Sequence, residues 1–197
     1  EACTPYEWHK ELFSFAKKIG ITIFSSPFDE KAVDILEDLH TPAYKIASFE
    51  ITDLPLIKYI AKKKKPMLIS TGMANLEEIK EAVDTATDNG CDQILLFHCV
   101  SSYPTPSKDA NIRKIKLIKK EFGTEVGLSD HTISNTAAIA SISLGAVAIE
   151  KHFILNRANK GPDSSFSIEP KELADLVSST KECWETLGSV DFSRPNI

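Results

Sequence analysis

Glu125-Val126-Gly127-Leu128-Ser129-Asp130-His131 and Ala146-Val147-Ala148-Ile149-Glu150-Lys151-His152-Phe153 are two apolar runs that close on a histidine. Residues 133–144, between them, carry apolar side chains at helical spacing, so the three segments read as strand, helix and parallel strand. Parallel neighbours end at the same side of a sheet, which brings His131 and His152 to one rim. Two neutral imidazoles there can share a divalent ion and leave coordination positions open for water or substrate. A single strand-end histidine is ordinarily a hydrogen-bonded structural residue; here the pairing carries the argument.

The same alternation runs through the rest of the chain. Residues 21–25, 43–47, 67–70, 93–99, 125–128 and 146–150 are β-rich and nearly continuously apolar, as expected of parallel strands buried on both faces. Residues 6–19, 29–39, 53–62, 76–89, 112–122, 133–144 and 170–187 have helical periodicity. Asn75 suits a helix N-cap, and Gly20, Gly90 and Gly145 stand where helices should stop. No glycine fingerprint of a dinucleotide-binding sheet is present. Ser26, Ser48, Glu50, Ser70, Thr71, Ser101, Ser102, Ser129 and His152 lie at or just past the C-terminal ends of the strands, from every one of them. Open sheets gather chemistry at one switch point, whereas barrels gather it from all around. The expected fold is therefore an α/β, (β/α)8 TIM barrel, present as a fragment of about six βα units. Residues 1–188 would form the partial barrel, and residues 189–197, which lose helical periodicity, a tail or the start of a linker.

Of the 197 residues, 42% are apolar and 26% charged, with a formal charge of −5, which suits one globular core and argues against a nucleic-acid surface. The basic run at residues 62–65 reads as the solvated end of a helix. No apolar stretch is long enough to span a membrane, and the first residues lack a signal peptide. Cys3, Cys91, Cys99 and Cys183 have no CxxC spacing and read as reduced thiols, with a cytoplasmic location expected. Cys99 reads as a small core residue.

Pro42-Ala43-Tyr44-Lys45-Ile46-Ala47-Ser48-Phe49-Glu50 places a lysine inside an otherwise buried strand. Alternation sets Lys45 on the face opposite Tyr44 and Ile46, and a buried ammonium needs a counter-charge. An anionic substrate would supply one.

Together with Phe24-Ser25-Ser26-Pro27-Phe28, Ile69-Ser70-Thr71-Gly72-Met73, His98-Cys99-Val100-Ser101-Ser102-Tyr103-Pro104-Thr105, Gly127-Leu128-Ser129-Asp130-His131-Thr132, Glu150-Lys151-His152-Phe153 and Gly161-Pro162-Asp163, this strand resembles the sialic acid synthase family. The motifs are collinear over nearly the whole chain. Thr4-Pro5-Tyr6-Glu7-Trp8-His9, Ser48-Phe49-Glu50 and Asp163-Ser164-Ser165-Phe166-Ser167 look most like its pseudaminic acid branch, with an N-acetylneuraminate or legionaminate synthase of the same family as the alternative.

The resemblance implies an enzyme condensing phosphoenolpyruvate with an acetamido sugar to a nine-carbon 2-keto sugar acid. Lys45 would neutralise phosphoenolpyruvate, with Ser26, Ser48, Ser70 and Ser129 donating hydrogen bonds to its oxygens; hydroxyls donate without adding charge. His131 and His152 match the family's ligands for a divalent ion of the manganese, magnesium or cobalt type. Glu50 matches the carboxylate that positions or deprotonates water. Tyr103 and Asp163 match positions facing the sugar, and the loop from Ser101 shares in substrate choice.

In extent the sequence departs from the family pattern. The two opening strands and a small C-terminal antifreeze-like domain, which in a homodimer covers the partner's site, are expected to be missing, so most of the site would be held without enough of it to work. Two competing functions stand beside this one. A synthase acting on a sugar phosphate would need clustered arginines, and Arg113, Arg157 and Arg194 share no motif. A non-catalytic barrel fragment would bind a ligand or partner through its open sheet edge.

Overall fold

The computed structural model describes residues 4–191. Five parallel strands, β1 (Tyr44–Ile46), β2 (Met67–Ser70), β3 (Ile94–Cys99), β4 (Glu125–Asp130) and β5 (Ile149–Lys151), lie side by side in chain order. Consecutive order without a switch point is the barrel pattern, and the chain folds as a half-barrel with flanking helices. Those helices are α1 (His9–Ile19), α2 (Glu30–Asp38), α3 (Leu54–Ala61), α4 (Leu76–Asp88), α5 (Lys114–Phe122), α6 (Thr136–Ser143) and α7 (Pro170–Leu187).

The sixth expected strand does not form. Residues 21–25 contribute one isolated parallel bridge, Ser25 to Tyr44, and one ladder-like bond, from Lys45 N–H to the Ser25 carbonyl at 3.2 Å. Among the described residues its one strand neighbour is the three-residue β1, and a segment paired on one side against so short a partner gains few ladder bonds. Two other boundaries move in a way that matters for the site. The fifth expected run, residues 125–128, extends through Ser129 and Asp130, and the last begins only at Ile149 but includes Lys151.

Local signals set the helices. Asn75 and Glu78 form a reciprocal capping box on α4, with bonds of 3.0 and 2.8 Å. Asp29 and Asp53 cap α2 and α3 through Ala32 N–H and Leu56 N–H. Gly20 ends α1 in the left-handed region, at φ 75°. Between α3 and β2 the lysine run is not simply solvated, since Lys63 pairs with Asp34 and Lys65 with Glu37.

The core lies between sheet and helices. Tyr44, Ile46, Met67, Ile69, Leu96 and Val126 from the strands meet Leu36, Ile57, Ile60 and Ile115 from the helices, all fully or almost fully buried. Truncating one of these to alanine costs about 2–5 kcal/mol. None of the helices among the described residues is long and apolar enough to cross a membrane. Cys91, Cys99 and Cys183 are free thiols; Cys3 and residues 192–197 of the tail lie outside the described residues.

Candidate functional site

Because every second strand residue faces the same way, the core-facing set on β1 is Tyr44 and Ile46, and Lys45 points to the other face. There, at the C-terminal ends of the strands, a cleft of about 410 Å³ is lined by Ser26, Lys45, Ser48, Ser70, Tyr103, Ser129, His131, Glu150, Lys151 and His152, with Ala47. Eight of the eleven residues expected at the site converge on it. A second cleft of about 450 Å³ shares Ser26, Lys45 and Glu150 and runs toward Tyr6, His9, Phe24 and Phe28.

Lys45 is buried, and its Nζ donates to Ser70 Oγ at 2.7 Å. Its counter-charge within the protein is Glu150, whose Oε1 lies 3.4 Å away and also accepts from Ser129 Oγ at 2.7 Å. One carboxylate oxygen thus touches both the lysine and a serine expected to hold an anionic substrate.

The imidazoles of His131 and His152 have ring centroids 5.3 Å apart. His131 Nδ1 lies 3.0 Å from the Val100 carbonyl, an acceptor, so Nδ1 carries the proton and Nε2 keeps its lone pair. His152 Nδ1 lies 3.3 Å from Asp163 Oδ2, which favours the same tautomer. Burial, first of all, holds the His131 imidazole below the usual histidine range, and the neighbouring His152 acts in the same direction. Two imidazoles with Nδ1 anchored suit the donor set of a divalent ion. Among the described residues no group of three or more His, Cys, Asp or Glu is placed to hold a metal, so a bound ion would complete its shell from substrate or water. Tyr103 and Phe166 complete a ring cluster around the pair: Tyr103 is 4.4 Å from His131 and Phe166 is 5.0 Å from His152, centroid to centroid.

Three expected residues stand outside the lining. Asp163 reaches the site through His152. Ser101 sits behind it, packed against Gly72: a Cβ on Gly72 would come within 2.5 Å of Ser101 Oγ and Cys99 Sγ and 2.9 Å of Ser48 Oγ. Only a residue without a side chain lets those three groups converge. Glu50 lies on the 3-10 turn Ser48–Thr52, with Oε2 buried and unpartnered, and burial pushes its carboxyl above the usual range. Cys99 fits the reading as a core residue, since burial raises its thiol and Sγ rests 3.1 Å from Ser48 Oγ.

Sequence reasoning missed Glu150, Lys151, Asp130 and Phe166 as participants. Glu150 sits two residues before His152, so its facing the same way was the available signal.

A family model of the NeuB family matches residues 1–192, and the chain belongs to that family. It is 44% identical to the pseudaminic acid synthase of Helicobacter pylori, over 95% of this chain and 55% of that one. Identity to the N,N'-diacetyllegionaminic acid synthase of Campylobacter jejuni is 43%, over 91% and 54%. The crystal structure of N-acetylneuraminic acid synthetase from Leptospira borgpetersenii superposes with a TM-score of 0.93 at 31% identity, covering 98% of this chain and 67% of that one. The chain spans about half the length of the curated relatives it matches.

Proposed function

We propose that this cleft takes phosphoenolpyruvate and the open-chain form of an acetamido sugar and joins them into a nine-carbon 2-keto sugar acid of the pseudaminic acid type, with release of phosphate. The observation that carries the reading is the convergence of Lys45, Ser70 and Ser129 with the paired imidazoles in one cleft. The near-equal identities to a pseudaminic and a legionaminic synthase favour the latter product as the second reading.

Lys45 meets the carboxylate or phosphate of phosphoenolpyruvate, exchanging its contact with Glu150 for the substrate's oxygens, while Ser26, Ser48, Ser70 and Ser129 donate hydrogen bonds. Tyr103 and Asp163 hold the sugar by neutral and charge-assisted hydrogen bonds. A divalent ion of the manganese, magnesium or cobalt type on His131 and His152 would supply Lewis acidity to the aldehyde oxygen. The C2–C3 π electrons of phosphoenolpyruvate form the bond from C3 to the aldehyde carbon, the aldehyde C=O opens and its oxygen takes a proton to become a hydroxyl, and positive charge develops at C2. Water adds to C2 and loses a proton, the C2–O bond to phosphate breaks, and C2 becomes the ketone. Glu50, on the turn after β1 and outside the lining, is assigned to position or deprotonate this water: a carboxyl raised by burial is a better base than an exposed one.

Calorimetric titration of phosphoenolpyruvate into this chain, followed by a phosphate-release assay with an N-acetylated sugar and Mn2+, tests the reading. Saturable binding is expected of this chain, and sugar- and metal-dependent release of the full-length protein. Full-length protein that binds without release would be a ligand-binding module, and no binding by either would refute the assignment.

A further inference from the structure

Asp130 and Lys151 are register partners on the last rung shared by β4 and β5, and the residues that follow them are His131 and His152. Their side chains are 2% and 3% exposed and meet at 2.8 Å. Lys151 Nζ also donates to the carbonyls of Thr132 at 2.6 Å and Ser134 at 3.3 Å, which occupies all three of its protons. The other Asp130 oxygen accepts from Thr132 N–H at 2.9 Å. The lysine is therefore saturated and both carboxylate oxygens are engaged, and every one of these bonds is to the partner or to the turn that carries His131.

A buried ion pair is weak support for stability, because desolvating both charges offsets most of their attraction, whereas its directional bonds fix geometry. Here the geometry concerns the imidazoles. Each ring has its tilt set from outside the rung, His131 by Val100 and His152 by Asp163, but neither contact sets the distance between the rings. That distance follows from how β4 and β5 end against each other and from the path of residues 130–134. We infer that Asp130 and Lys151 are positioning residues, which lock this rung and turn so that the two imidazoles stand at the separation a shared ion requires.

The inference rests on His131 and His152 acting as a pair, and its test reads the rings without metal as well as with it. Four proteins are compared: this chain, the double variant Asp130→Asn/Lys151→Met, Lys151→Arg and, in reserve, Asp130→Ala/Lys151→Leu. The double variant removes both charges together, so no uncompensated charge is left buried. In metal-free protein, long-range 1H–15N NMR of the imidazoles and inter-ring nuclear Overhauser effects should show fixed, close rings in the parent chain. The double variant should keep its cooperative melt while its ring signals average and the inter-ring effect is lost, with Mn2+ affinity down about 10–100-fold, as for other groups supporting metal ligands. Lys151→Arg, which keeps charge and donors, should recover most of both readouts.

Should the double variant fail to fold, Asp130→Ala/Lys151→Leu, a smaller uncharged pair that also leaves no buried charge uncompensated, decides: averaged rings support the inference and unchanged rings overturn it. Unchanged rings and affinity in a folded double variant overturn it too. If the parent chain binds no Mn2+, the metal reading falls, yet the ring signals still show whether the pair positions the imidazoles.

Discussion

Two lysine–carboxylate pairs stand side by side at the end of the sheet, and they are built differently. Lys151–Asp130 is closed: 2.8 Å, both side chains almost wholly buried, every lysine proton used. Lys45–Glu150 is open: 3.4 Å, the carboxylate 39% exposed, and its near oxygen shared with Ser129. They are neighbours on β5, through Glu150 and Lys151. The difference separates framework from site. A buried pair whose lysine protons are all used and whose carboxylate oxygens are both engaged is not poised to take a ligand, whereas a long, shared and partly exposed pair can exchange its carboxylate for a substrate's.

The most severe way to probe that contrast is to remove each lysine alone. Lys151→Met leaves Asp130 buried without its counter-charge and should cost about 3–5 kcal/mol of folding stability in urea titration. Lys45→Met leaves Glu150 free to hydrate, and the cost should stay under about 1 kcal/mol. Equal losses would erase the distinction.

His98 sharpens it by being buried with no counter-charge among the described residues. It is 2% exposed, its Nε2 lies 2.8 Å from the Ala110 carbonyl, and burial holds the imidazole below its usual range. A depressed folded-state value means that the unfolded chain takes up the proton first. The associated stability is present above about pH 6.5, the unfolded value, and is lost as pH falls through the lower folded value. Urea midpoints from pH 7.5 to 5 should therefore fall more steeply in the parent chain than in His98→Gln, by up to about 1.4 kcal/mol per pH unit within that window.

A smaller effect, and one of unusual sign, is expected at Glu150. If its carboxylate occupies the place of a substrate oxygen, Glu150→Gln should bind phosphoenolpyruvate about two- to fivefold more tightly by calorimetry, the scale of a partly exposed ion pair. Glu50→Gln should leave that affinity unchanged and lower phosphate release. Weaker binding by Glu150→Gln would mean that the carboxylate helps to hold the ligand.

The contrast also marks what the sequence made legible. Strand order, the helices and the inward face of Lys45 follow from periodicity, because Tyr44 and Ile46 had to share the core. The convergence of Ser26, Ser48, Ser70, Ser129, His131 and His152 follows from their common place at strand ends. Pairing partners were not legible. That Ser129 stands opposite Glu150, and Asp130 opposite Lys151, is a matter of register, which one-residue shifts would change without altering the hydrophobic pattern's content. Residues 21–25 looked like a strand because strand composition was present; what they lack is a ladder on more than one side, and that is decided by neighbours. Phe166 lies in a polar loop with no period to reveal that it packs on His152.

The central claim is that one cleft holds two separable sites, an anion site at Lys45 and an imidazole pair beside it. Calorimetric titration of phosphoenolpyruvate and of Mn2+ into Lys45→Met and His152→Ala tests it most directly. Lys45→Met should weaken phosphoenolpyruvate by roughly ten- to a hundredfold, the worth of a charge-assisted hydrogen bond of about 1.5–3 kcal/mol, and leave Mn2+ binding nearly unchanged. His152→Ala should abolish Mn2+ binding and spare most of the affinity for phosphoenolpyruvate. If Lys45→Met bound phosphoenolpyruvate as the parent chain does, the lysine would be a structural partner of Glu150 and Ser70, and the account of this cleft would be wrong.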